Sequence, residues 1–388
     1  MIILINLINS LSIIFLNIFI DSIFVNQSSN LEIDSFLEKI VLPEGFEIKI
    51  YADDVENARS MAISPLGTIF VGNRNEDNVF ALKDTDGDNV IDKKYLITNK
   101  LKNMPNGVAF HDGDLYVAEV NKIWKFENIE ENLSYADKFD EYLEEPILIS
   151  DDFPSDRHHG WKYISFGPDG KLYVPVGAPC NICESRDEIY ASITRMNPDG
   201  SNREIYVKGV RNTVGFTWHP ETKQLWFTDN GRDMLGDNIP PCELNKVTGK
   251  DQHFGYPYCH GDDIGDPEFG GEYSCSDFVM PVQNLGPHVA PLGLKFYTGK
   301  MFPDEYKGDI FIAEHGSWNR SKKIGYRISR VKIENNKSVG YETFIYGWLD
   351  DDEQEAWGRP VDILILEDGS MLISDDKANA IYRVTYTG

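Results

Sequence analysis

The chain has 388 residues, 63 of them acidic against 37 basic, for a formal net charge of −26. Such a surface excludes nucleic acid and anionic membranes as partners for the body of the protein, and it requires that any anionic ligand be met by a local basic cluster. The length suits either two ordinary domains or one large closed unit.

The chain opens on MIILINLINSLSIIFLNIFIDSIFV, nearly all Ile, Leu, Phe and Asn, running into the polar NQSSNLEIDS. Residues 1–29 read as an export signal, which places the protein in the periplasm or outside the cell. The stretch has no basic start and no clear small-residue cleavage site, and bilayer crossing requires roughly 20 apolar residues, so an uncleaved anchor is the competing reading. Membrane association is expected only in that case.

Six segments then repeat one signature, a tight turn followed by a short apolar strand. They are SPLGTIFVGN from Ser64, HDGDLYVAEV from His111, GPDGKLYVPVG from Gly167, PETKQLWFTDN from Pro220, YKGDIFIAEH from Tyr306 and EDGSMLISDD from Glu367. Each has the period of two of a half-buried strand after a hairpin turn. Recurrence at roughly 45 to 60 residues is the scale of a four-stranded blade, with a longer gap before the fifth copy. The expectation is an all-β chain, a six-bladed β-propeller as a single domain over residues 40–388. A β-sandwich would not repeat one turn-strand unit at blade intervals.

Between the first two copies, DTDGDNVID sets Asp84, Asp86, Asp88 and Asp92 around a glycine, a spacing of hard oxygen ligands suited to a structural calcium ion. The bidentate Glu of an EF-hand is missing, and a solvated acidic hairpin is the competing reading. In DRHHGWKYISF, His158 and His159 close a loop that leads into the third blade, and histidine is the side chain suited to act as a base near neutral pH. Cys180 and Cys183 form a CxxC, while Cys259 and Cys275 flank an acidic, glycine-rich insertion; in an exported protein these suggest two disulfides, with Cys242 left over. Zinc would want a second cysteine pair at matching spacing.

Arg211 and Asn212 precede the next strand, Gly231 follows another, and later loops add His288, His315, Trp318, Asn319, Arg320 and Arg359. Arg211, Arg320 and Arg359 come from three blades, and a ring could bring them together as the basic cluster an anionic ligand requires.

Several ordered blocks carry a family resemblance: PSDRHHGWKYISFGPDGKLYVPVGAPCNICE, RMNPDGS, GVRNTVGFTWHPET, LWFTDNGRD, FGYPYCHG, HVAPLGLKFYTG, AEHGSWNRS and WGRPVDILILEDGS. They make nearly all of the chain after the leader similar to the quinoprotein glucose/sorbosone dehydrogenase family, in its L-sorbosone dehydrogenase-like branch. The resemblance implies pyrroloquinoline quinone (PQQ) and calcium over the propeller channel, a sugar or sugar-derived aldehyde or alcohol as substrate, and a soluble cytochrome or a quinone as electron acceptor. It implies a histidine base at His159, with His158 as the alternative, and Arg211 with Asn212 beside the quinone. It further implies backbone carbonyls of Gly231 and Arg232 on the calcium, and Arg359, Arg320 and His288 around the cofactor. Three positions depart from the glucose dehydrogenase pattern: Ala178 replaces the acidic residue that orients the histidine, Val214 replaces a Gln, and Val361 replaces a basic residue. The first departure predicts a loosely held His159 with an ordinary pKa. A calcium-dependent sugar-lactone hydrolase and a non-catalytic glycan- or protein-binding propeller are the rival readings.

Overall fold

The computed structural model describes residues 35–139 and 145–388, so the expected leader and its cleavage lie outside the described residues. The chain divides into two compact units, Met1–Val41 and Leu42–Gly388. The described part of the first holds a helical turn at 35–37. No helix among the described residues is long and apolar enough to cross a membrane.

The second unit is a six-bladed β-propeller, each blade a four-stranded antiparallel sheet. Blade 1 comprises Ala58–Ile63, Ile69–Asn73, Val79–Lys83 and Lys93–Thr98, and blade 2 comprises Gly107–His111, Asp114–Ala118, Ile123–Phe126 and Ile147–Ser150. Blade 3 is Ser165–Phe166, Leu172–Val176, Ser192–Met196 and Glu204–Lys208, and blade 4 is Phe216–Trp218, Leu225–Asp229, Pro241–Lys246 and Gln283–Pro287. Blade 5 is Pro291–Phe296, Ile310–Glu314, Arg327–Glu334 and Lys337–Tyr346. Blade 6 takes Pro360–Ile365, Met371–Asp375 and Ala380–Tyr386 from the C-terminus and its outermost strand, Phe46–Ala52, from the N-terminal side. That strand runs antiparallel to the last one, Phe46 opposite Tyr386, so both ends of the unit lock one blade and close the ring.

Every repeated sequence segment is the first hairpin of a blade and its second strand. The turn demands one residue in the left-handed region, supplied by glycine in five copies (Gly67 in the first, φ 83°) and by Lys223 at φ 59° in the fourth. The alternation suggested half-buried strands, but these second strands are buried almost throughout, as in Leu172–Val176 and Ile310–Glu314. Each lies inside its sheet with both faces covered by adjacent blades. The core is accordingly split into wedges: Val71 and Leu82 of blade 1 pack with Leu372 and Ile381 of blade 6, and Val174 of blade 3 with Tyr116 and Ile123 of blade 2. The long gap before the fifth hairpin holds an insertion between the third and fourth strands of blade 4, with the strand pair Cys259–His260 and Ile264–Gly265 tied by the Cys259–Cys275 disulfide.

Candidate active site

In a propeller the segment after each second strand and the segment before each first strand reach the central axis at one rim. Arg74, Asn230, His315 and Asp376 directly follow the second strands of blades 1, 4, 5 and 6, and Arg359 directly precedes the first strand of blade 6. Arg74, Asn230, His315 and Arg359 line one cavity of about 340 Å³, together with Arg59, His159, Trp161 and Arg211. Beneath it Val214, Leu292 and Val361 form an apolar cluster against Trp161. Two of the three departures from the glucose dehydrogenase pattern, Val214 and Val361, therefore share one apolar cluster.

The cavity wall from blades 1, 5 and 6 is cationic. Arg59, only 1% exposed, donates to Asp376 Oδ2 at 2.9 Å and to Asn106 Oδ1 at 3.0 Å. His315 Nε2 bonds the same Asp376 carboxylate at 3.0 Å. Burial opposes the charge on Asp376, yet His315, Arg59 and Arg359 together hold its carboxyl far below the usual range. Arg359 Nε stands 3.0 Å from Asp376 Oδ1 as an ion pair without hydrogen-bond geometry, and it has no hydrogen-bond partner. Arg74 stacks its guanidinium 3.8 Å from the Trp161 ring centre, and its Nε is likewise buried and unpartnered. Burial, then nearby Arg59, lowers its pKa to about 10, so it stays charged at neutral pH. Trp161 Nε1 and Asn319 Oδ1 are further buried polar atoms of the lining without partners.

On the side of blades 3 and 4 the charged side chains are held by protein partners. His159 is buried with a left-handed backbone, φ 51°, and its Nδ1 lies 2.9 Å from the Ala178 carbonyl. A carbonyl only accepts, so Nδ1 carries the proton and Nε2 keeps its lone pair. Burial, then Arg211 and His158, push the imidazole pKa down to about 2. The expectation of a loose, ordinary histidine is overturned: the backbone of Ala178 does the orienting that a carboxylate side chain was expected to do, and burial with positive neighbours removes the ordinary pKa. Arg211 is 3% exposed and donates to the Asn230 and Gly231 carbonyls at 3.2 and 2.9 Å, and to Asp233 Oδ2 at 2.9 Å. Buried Asp229 accepts the backbone N–H groups of Arg211 and Asn212, each at 2.7 Å, fixing that turn. Burial raises the Asp229 pKa to about 6.

The structure thus gathers His159, Arg211, Asn212, Gly231, His288 and Arg359 around one cavity, with His315, Trp318 and Asn319. His288 donates through Nε2 to the Gly236 carbonyl at 2.9 Å and faces the Asn319 amide at 3.3 Å through Nδ1. Three expected residues lie outside the lining. His158 is exposed, its ring 4.0 Å from that of His159. Arg320 turns away to the carbonyls of Asp237 and Lys322. Arg232 is drawn by Asp266 of the insertion, at 2.5 Å, and does not line the cavity. Asp84, Asp86 and Asp88 do converge in the exposed hairpin, but Asp92 instead accepts the Thr85 N–H and hydroxyl at 2.6 and 2.8 Å. Cys180–Cys183 and Cys259–Cys275 are bonded, and the free Cys242 lines the cavity as a buried thiol. Sequence reasoning missed Arg59, Arg74, Trp161, Asn181, Asp229, Asp233 and Asp376. Arg74 and Asp376 were findable, because they hold the hairpin-end position already noticed in blades 4 and 5.

The sequence profile of the TrAA12-like family matches residues 193–387. An uncharacterized protein of Borreliella burgdorferi is 35% identical over 374 residues, covering 95% of this chain and 96% of that protein. The chain belongs to the TrAA12-like family. Its fold is shared with solved structures of low identity. These include the calcium structure of the Trichoderma reesei carbohydrate-active enzyme of family AA12, at 17% identity and TM-score 0.77 over 89% of this chain and 97% of that one. The holo PQQ domain of pyranose dehydrogenase from Coprinopsis cinerea gives 16% identity and TM-score 0.74 over the same shares. The PQQ-bound aldose sugar dehydrogenase of Streptomyces coelicolor gives 18% and 0.62 over 89% and 99%. Among TrAA12-like chains, then, this one carries its polar rim on a propeller also used by sugar-oxidising quinoproteins.

Proposed function

We propose that the protein is a quinoprotein dehydrogenase that oxidises a sugar or a sugar-derived aldehyde or alcohol. The observation that carries this reading is a cavity in a strongly acidic chain lined both by Arg74 and Arg359, each with a buried Nε–H that makes no hydrogen bond, and by a buried histidine of fixed tautomer. An anionic, planar, polar group fits that donor set. Arg74 and Arg359 would hold its carboxylates, Trp161 Nε1 would give a further hydrogen bond and Asn319 Oδ1 would accept one, over an apolar floor of Val214, Leu292 and Val361. Bound there, PQQ supplies a carbonyl that accepts a hydride.

The chain's own part is proton transfer and positioning. His159 Nε2, unprotonated across the neutral range, takes the hydroxyl proton of the substrate as general base, while the Ala178 carbonyl keeps the ring in that tautomer. Arg211 fixes a positive charge at the same end of the cavity. Gly231 lines the cavity, and its carbonyl, with a second lone pair beside the one facing Arg211, would be the group to hold a calcium ion, which would supply Lewis-acid chemistry.

A lactone hydrolase would need several side-chain carboxylates together with Asn on its ion, and Asn212, Asn230 and Asn319 do line the cavity. This cavity offers one carboxylate, Asp233, already bonded by Arg211 and Asn319. Two disulfides support an oxidising compartment, periplasmic or extracellular, and electrons would leave to a soluble cytochrome or a quinone, since CxxC is followed by Glu184 and not by a haem-binding His.

The test is reconstitution of purified protein with PQQ and calcium, then dye reduction over aldoses, sorbosone-like aldehydes and polyols. Turnover that needs both additions is the expected result. Absence of quinone binding would reject the dehydrogenase and leave a binding propeller.

A further inference from the structure

One short loop touches both reactive residues of the proposed site. Residues 177–183 open the connection between the second and third strands of blade 3, which runs over 177–191, and read GAPCNIC. At Gly177 the loop presses so closely on His159 that a Cβ would stand 2.5 Å from the His159 Cβ, which requires glycine. The next peptide bridges the two residues: the Ala178 N–H donates to the Arg211 carbonyl at 2.8 Å, while the Ala178 carbonyl accepts from His159 Nδ1.

Three residues on, Asn181 takes hold of the Arg211 guanidinium. Its backbone carbonyl accepts from Arg211 Nε at 2.8 Å and its Oδ1 from Nη2 at 2.8 Å, so carbonyl and amide grip one edge of the plane. The same Oδ1 accepts the Asp233 N–H at 2.8 Å, and Nδ2 donates to the Asp233 carbonyl at 3.1 Å. Asp233 in turn bonds Arg211 Nη2 at 2.9 Å and the Asn319 amide at 2.6 Å. The loop is itself closed on both sides of Asn181 by the Cys180–Cys183 disulfide. Tyr256 anchors it from the insertion, its hydroxyl oxygen accepting the Cys183 N–H at 3.1 Å.

We propose that Asn181, held in the disulfide-closed CNIC loop, is a positioning residue of the site: it fixes the Arg211 guanidinium in the cavity wall, and through Asp233 the Asn319 amide, so that this side of the cavity keeps one arrangement. Asn181 does not itself line the cavity, so it acts through Arg211. The fork geometry of guanidinium is what makes this control effective, since two fixed acceptors on one edge define the direction of the remaining Nη1, which points to the Asn230 and Gly231 carbonyls. The inference rests on the quinone-dehydrogenase reading for its catalytic consequence, but its structural core concerns only Arg211.

The experiment is a double-mutant cycle of Asn181→Ala with Arg211→Ala, read in PQQ affinity by tryptophan fluorescence and in kcat and KM for whichever sugar is oxidised. Removal of such an outer partner typically costs about 10- to 100-fold. Asn181→Ala should lose that factor in kcat, with PQQ affinity and sugar KM each changing less than about threefold, and it should add less than about twofold in the Arg211→Ala background. Asn181→Asp, which keeps the acceptor oxygens, should restore most of the loss. Equal losses in both backgrounds, or no loss in either, would overturn the proposal. In apo-protein, side-chain nitrogen NMR should show restricted Arg211 Nη protons in the parent and in Asn181→Asp but averaged ones in Asn181→Ala. Unchanged restriction in Asn181→Ala would reject the positioning role even if the quinone reading stands. Restriction lost as expected in a protein that binds no PQQ would reject only the function.

Discussion

The two walls of the cavity are built on opposite principles. On the side of blades 1 and 6, cations outnumber their partners: Arg59 is satisfied by Asp376 and Asn106, but Arg74 and Arg359 each keep a buried Nε–H without a hydrogen bond, that of Arg359 meeting Asp376 only as an ion pair. On the side of blades 3 and 4, Arg211 spends its donors on five protein acceptors, and His159 is fixed by a backbone carbonyl. Buried polar groups left without partners are costly, and a site that retains them is complementary to a ligand that satisfies them. Groups already satisfied gain nothing from ligand binding and are held still instead. The first wall is suited to binding an anion, the second to holding reacting groups in place.

The sharpest way to separate the walls is at His159. His159→Gln should lower kcat by about 10²- to 10⁴-fold, the range for loss of a general base, while PQQ affinity stays within about threefold. A comparable loss of PQQ affinity would move His159 to the binding wall. The same residue predicts an acid sensitivity. Its folded pKa, pushed down to about 2 by burial, lies below the unfolded value of about 6.5, so the unfolded chain binds the extra proton between those limits and stability falls as pH drops through 6.5. Between pH 7 and pH 5 the parent should lose on the order of 2 kcal/mol that His159→Gln does not lose, measurable by urea unfolding at the two pH values. Equal losses in both proteins would show that the ring titrates freely in the fold.

On the binding wall, Arg359→Ala or Arg74→Ala should weaken PQQ about 10- to 100-fold, as expected when a charged hydrogen-bond donor of about 1.5–3 kcal/mol is removed, with turnover at saturating cofactor changed far less. If kcat falls as much as affinity, the division of labour between the walls fails.

How far this arrangement was legible in the sequence depends on whether a feature is local. Each hairpin carries its own turn residue and apolar strand, so six blades could be counted from the chain alone, and His159, Arg211 and Asn212 stood in segments distinctive enough to notice. The contact between Arg59 and Asp376 is different. Arg59 and Asp376 are separated by more than three hundred positions and meet only because Phe46–Ala52 closes the ring onto the last blade. The fully buried second strands were misread for the same reason, since their second face is covered by a blade elsewhere in the chain. Asn181 was hidden inside a CxxC, where attention goes to the sulfurs. The role of Ala178 was invisible because a carbonyl has no letter in the sequence.

The smallest predicted effect tests the most tempting error of that reading. Arg320 resembles Arg359 in sequence terms, a basic residue in a rim loop, and both were expected at the cofactor. In the fold its guanidinium is used by the carbonyls of Asp237 and Lys322, outside the cavity. Arg320→Ala should therefore change PQQ affinity by less than about twofold, and any loss should appear as a small drop in stability, within the roughly 1 kcal/mol of a partly exposed hydrogen-bonding group. A tenfold loss of affinity would mean that the loop bearing Arg320 folds over the ligand and that Arg320 joins the binding wall. The Arg320 result is informative alongside Arg359→Ala: two arginines of equal charge, one aimed into the cavity and one away from it, separate direct contact from the general attraction of positive charge, which both would supply alike.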